Sequence, residues 1–146
     1  HFFDAITLMY RVTTRLAAEN RSPRDLVVIR DHQTAFARAV SDQDALAMIA
    51  TNRDFHAAIA EAGGNPYYTG LFCRLLDEGR RILRIYYSSY QDRLPQRFVT
   101  EHEDMITAIE AGDIAAADRL SRDHADQIVN QIRTFIARDQ RQDITL

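Results

Sequence analysis

Residues 41–66, SDQDALAMIATNRDFHAAIAEAGGNP, hold one helix together with the signals that start and stop it. Ser41-Asp42-Gln43-Asp44 offers short polar side chains that can accept from the free N–H groups of a first turn. Leu46, Ile49, His56 and Ile59 then recur at the three- and four-residue spacing of a single helical stripe. Gly63-Gly64 ends the run near Ala62, because glycine enters the left-handed C-cap conformation without a Cβ clash. Asn65-Pro66 restarts the chain with an N-cap residue and a first-turn proline.

The same grammar extends in both directions. Upstream, residues 3–19 place Phe3, Ile6, Tyr10, Thr13, Thr14 and Ala17 on one face. Ser22-Pro23-Arg24-Asp25 opens a second helix to about Val40, with Leu26, Ile29, Gln33, Phe36 and Val40 inward. Downstream, Asn65-Pro66 starts a fourth helix expected to run unbroken to about Tyr90, and Leu94-Pro95 ends that stretch. A fifth spans about Gln96 to Ala111, with Phe98, His102, Met105 and Ile109 inward. Gly112-Asp113 separates it from a sixth to about Arg138, carrying Ala117, Leu120, His124, Ile128 and Phe135. The polar tail from Asp139 to Leu146 is expected to fray. Strand alternation and hairpin dipeptides are absent, so the fold class is all-α: an antiparallel bundle of six to seven helices with short loops.

Composition narrows the function. The 146 residues suit one domain over 1–146, without repeat or linker. A chain of that length buries roughly 68–70% of its unfolded surface and needs no staples. One cysteine, Cys73, excludes an internal disulfide, and its apolar neighbours mark it as an inert packing residue. Eighteen basic against 21 acidic residues give a net charge of −3, without the basic footprint that phosphate backbones require. No apolar run approaches the ~20 residues of a membrane span, and no signal peptide opens the chain, so a cytoplasmic location is expected.

Five histidines are present. His1 is terminal and His32 sits on a polar side. His56, His102 and His124 stand mid-stripe on three different helices. A single histidine so placed is usually a core group with one satisfied nitrogen. Three imidazoles in one interior are costly without partners, and a shared metal ion would satisfy them together. Asn52, one turn before His56 on the same face, completes a two-ligand arm. Zinc and nickel both suit imidazole ligands.

Asn52-Arg53-Asp54-Phe55-His56 resembles the [Asp/Asn]-x-x-Phe-His motif of the FCD domain, the effector-binding C-terminal domain of FadR-type regulators in the GntR family of bacterial transcription factors. Ala62-Gly63-Gly64-Asn65, Glu101-His102 with Ala108-Ile109 and Gly112-Asp113 behind it, and His124 on the last helix resemble its later segments in order. The resemblance covers about residues 4–138. It implies a helical bundle of six or seven helices with a divalent metal held by Asn52, His56, His102 and His124. It further implies a small carboxylate effector on or beside that metal, a homodimer, and DNA binding only through an N-terminal winged helix preceding residue 1. The family often has Asp where this chain has Asn52, whose neutral amide is a poorer ligand. Three imidazoles and one amide leave a dication's charge uncompensated, which favours an acidic effector.

Effector contacts are expected from Arg81, Arg84 and Ser88, which share a face of the fourth helix, and from Tyr10, Thr14 and Phe98. Tyr86, Tyr87 and Tyr90 read as packing or dimer residues, and Arg74 and Arg80 as solvated. The alternative is a helical three-histidine metalloenzyme, a hydrolase or oxygenase. It lacks a carboxylate at motif spacing for a general base, since Asp54 points away from His56. A metal-free interaction module is the third reading.

Overall fold

A computed structural model describes residues 1–143, with side chains through residue 139. Among these residues there are seven helices and no strand: α1 Phe2–Asn20, α2 Pro23–Ser41, α3 Ala45–Gly63, α4 Pro66–Glu78, α5 Arg80–Ser88, α6 Gln96–Ala111 and α7 Ile114–Asp143. None of them is long and apolar enough to cross a membrane.

The caps explain most boundaries. Ser22 accepts from the Asp25 N–H while the Asp25 carboxylate accepts from the Ser22 N–H, a reciprocal capping box at the start of α2. Asp44 caps α3 through the Ala47 N–H, and Asn65 caps α4 through the N–H groups of Tyr67 and Tyr68. Gly64 and Gly112 adopt left-handed conformations, with φ of 78° and 69°, and close α3 and α6.

Three expectations change. The fourth helix is not continuous: it breaks at Gly79 into α4 and α5. There a Cβ would stand 3.0 Å from the Phe2 ring and 3.2 Å from the Leu75 carbonyl, so the break lets the start of α1 pack against the bend. Leu46 is not on the buried stripe of α3 but 75% exposed; Ala45 and Met48 take that side of the first turn. The last helix continues past Arg138 to Asp143, and of the tail expected to fray, residues 144–146 lie outside the described residues.

Helices α1 and α3 organise the bundle. α1 packs on α3, α4, α6 and α7, while α2 turns away from α1 to lie on α3 and α6. Gly63 permits the α1–α3 approach: a Cβ there would meet the Leu16 Cβ at 2.8 Å. Asn20 fastens the same crossing by donating to the Gly63 carbonyl. One apolar cluster, with Ile29, Phe55, Ile59, Met105 and Ile109, fills the α2–α3–α6 side. A second, with Phe36, Met48, Tyr86, Tyr87 and Phe98, fills the region beneath α5. A third gathers Met9, Tyr10, Phe72 and Leu76 around α1 and α4. The histidine-bearing stripes of α3, α6 and α7 meet among these clusters.

Candidate metal centre

His56 from α3, His102 from α6 and His124 from α7 are buried together, with one nitrogen of each lying within 4.8 Å of the others. Their ring centroids are 5.0 Å (His56–His102), 5.0 Å (His102–His124) and 5.4 Å (His56–His124) apart. Asn52, one turn before His56, is 3% exposed. Among the described residues, His56 Nε2, His124 Nε2 and Asn52 Nδ2 are buried polar atoms with no hydrogen-bond partner. Buried polar groups are normally paired, because desolvation without a partner costs roughly 1–3 kcal/mol each in proteins. One cation bound by these groups would remove that cost. The Asn52 amide exchanges its nitrogen and oxygen by a half-turn, so the orphaned position can equally present the oxygen that a metal takes. The donor set therefore fits a divalent ion that accepts imidazole and amide ligands.

The electrostatics agree. Burial, reinforced by the neighbouring His124, holds His56 well below the ordinary imidazole value. Burial, reinforced by His56 and His124, does the same to His102. Both rings are thus neutral at pH 7, the form a metal requires.

Two side chains position the rings from outside. His102 Nδ1 lies 2.8 Å from Gln33 Oε1 on α2, and His124 Nδ1 lies 2.9 Å from Glu101 Oε1. The His102 ring is also held between Phe55, stacked at 4.1 Å and 17°, and Phe36 at 4.6 Å. In the sequence Gln33 lies on the inward stripe of its helix and Glu101 stands only in a motif; no spacing rule links either to its histidine across helices. Glu101 also revises the charge count. The donor atoms are neutral, but a carboxylate stands directly behind His124, so an ion here would not be wholly uncompensated.

The expected effector residues fall into two groups. Tyr10 belongs at the site: its ring packs edge-on against His56 at 4.7 Å and faces His124 at 5.8 Å. Burial pushes its phenol far up, partly opposed by the Asn52 side chain, so it stays neutral. Thr14 is buried one turn later, its hydroxyl donating to the Tyr10 carbonyl. Phe98 is buried but packs on Tyr86 and Tyr90 in the cluster beneath α5. Arg81, Arg84 and Ser88 are exposed, opposite the buried Leu83, Tyr86 and Tyr87 of α5, and Arg84 pairs with Asp92. The physical reason is the period of α5: its large apolar side chains claim the inner face and leave the arginines outside. Cys73 is half-buried, and burial raises its thiol, consistent with low reactivity.

The surface approach to the histidines is acidic. A depression of about 150 Å³ between α6 and α7 reaches His124 and is lined by Glu101, Asp104 and Asp123. Tyr10, in contact with His56, also lines a small apolar cavity together with Phe3, Ile6, Leu76 and Ile132.

The FCD domain family model matches residues 3–127. This chain belongs to the FCD family. The ordered motifs from Asn52 to His124 had pointed to it. The FCD domain is a ligand-sensing regulatory domain and not an enzyme, and the three-histidine metalloenzyme reading finds no support. The fold of this FCD domain is similar to that of E. coli McbR/YncC, with a TM-score of 0.82 over 91% of this chain at 17% identity. The chain spans 63% of that structure's length. Comparison by sequence with curated proteins gave no match.

Proposed function

We propose that this FCD domain senses a small organic acid through a divalent metal, zinc or nickel, held by Asn52, His56, His102 and His124. The observation that carries the proposal is the convergence of three unpaired buried polar atoms, from Asn52, His56 and His124, in a cluster of three buried imidazoles. A bound dication would supply a Lewis-acidic centre for a carboxylate. Tyr10 would form a wall beside it, with Thr14 one turn along α1. Arg81, Arg84 and Ser88 would reach such an effector only if α5 turned about the Gly79 break, and Phe98 only if the cluster beneath α5 opened.

In the full regulator, this domain would pair with a second copy and control a winged-helix DNA reader supplied by another segment, in the cytoplasm. Effector binding would then change the relative position of the two DNA readers. Elemental analysis of the purified chain, followed by thermal-shift screening of small carboxylates with and without chelator, tests this. The proposal expects one divalent ion per chain and a carboxylate that raises the melting temperature only when the metal is present. Carboxylate stabilisation that is indifferent to chelation would overturn it.

A further inference from the structure

We infer that Gln33 is a positioning residue that fixes the proton of His102 on Nδ1 and so directs its Nε2 lone pair to the metal centre. The inference rests on the proposed centre only for its consequence, not for the proton's place.

Gln33 is 3% exposed. Its Nε2 lies 3.1 Å from the Val99 carbonyl and 3.2 Å from Glu103 Oε1. Both of those partners can only accept, so the side chain's NH2 must face them and the amide cannot turn over. The remaining end, Oε1, faces His102 Nδ1 at 2.8 Å. An amide oxygen also only accepts, so Nδ1 must donate to it and carry the proton. In a neutral imidazole the other nitrogen is then the bare one. A backbone carbonyl of α6, three residues before His102 on the same helix, thus determines which nitrogen of that histidine can bind a metal. The flanking rings of Phe55 and Phe36 confine the imidazole plane, so the ring cannot easily turn to exchange its nitrogens. The arrangement ties α2 to the centre although α2 supplies no donor atom.

The test compares the full chain, Gln33→Met and Gln33→Glu. Met keeps the length of the side chain and removes the acceptor. Glu keeps an acceptor for Nδ1–H and loses the donation to Val99. Histidine 15N correlation spectra of the chelator-stripped chain read the tautomer directly, with the His102 signals assigned by their loss in His102→Gln. Zinc titration then reads affinity. Wild type should show His102 protonated on Nδ1 alone. Gln33→Met should lose that pattern and weaken zinc binding about 10- to 100-fold, as changes to such outer partners commonly do. Gln33→Glu should melt at a lower temperature, because its carboxylate faces Glu103, yet retain the Nδ1–H pattern and bind zinc more tightly than Gln33→Met. A purely structural role would instead make tautomer and affinity follow the melting temperature. Wild-type His102 protonated on Nε2, or a Gln33→Met chain with unchanged pattern and affinity, would overturn the inference. Should Gln33→Met fail to fold, the wild-type and Gln33→Glu spectra decide it. A wild-type chain with the expected tautomer but no zinc binding would sustain the inference and refute the proposed centre.

Discussion

Acidification should destabilise the metal-free chain well before its carboxylates titrate. His56 and His102 are buried, and both are held well below the ordinary imidazole value, by burial first and by neighbouring imidazoles second. In the unfolded chain each returns to about 6.5. The unfolded state therefore takes up protons below that pH while the folded state does not. Stability is full above pH 6.5 and is lost as the pH falls from there toward the folded values. Between pH 7.5 and 5.5 each histidine contributes a loss on the order of 1 kcal/mol, so the pair contributes roughly 2–3 kcal/mol. That is a large part of the 5–15 kcal/mol typical of a domain. Asp118, held low chiefly by its hydrogen bond from Arg11, titrates below this window and leaves the result unaffected. Urea unfolding in the presence of chelator at pH 7.5, 6.5 and 5.5 measures the slope. His102→Gln should remove about half of it. Stability that stays level or rises on acidification to pH 5.5 would refute the view that both imidazoles are buried neutral.

Other changes probe the framework. Ser22→Ala removes one half of the capping box on α2 and should cost about 1 kcal/mol in chemical denaturation, with the cooperativity unchanged. Gly63→Ala forces a Cβ against the Leu16 Cβ at the α1–α3 crossing and should lower stability by about 1–3 kcal/mol, read from the same unfolding curves. Leu46→Glu, at a position 75% exposed, should change stability by less than about 0.5 kcal/mol; a larger loss would show that Leu46 is covered in solution.

The helix boundaries were legible where a cap decides them locally. Ser22-Pro23, Asn65-Pro66, Gly64 and Gly112 each fix a terminus through bonds or dihedrals within a few residues. The break at Gly79 was not legible, because it answers to the Phe2 ring packed from the other end of the sequence. Leu46 misled because an apolar residue three positions before Ile49 satisfies a helical spacing, yet the first turn of α3 presents Ala45 and Met48 instead. The three histidines could be singled out because each lies on an apolar stripe, where an imidazole is conspicuous. Their partners could not, because Gln33 and Glu101 reach His102 and His124 across helices, 69 and 23 residues apart in sequence. The outward placement of the α5 arginines was not legible for a related reason: the volume of Leu83, Tyr86 and Tyr87 decides which face of that helix turns inward.

The central claim is that the three imidazoles and Asn52 form a metal centre. Calorimetric titration of zinc into the chelator-stripped chain, beside His56→Ala and His124→Ala, tests it most directly. The account predicts one zinc per wild-type chain and loss of that binding in both variants. Wild-type protein that binds no zinc or nickel, or variants that bind it as tightly as wild type, would contradict it.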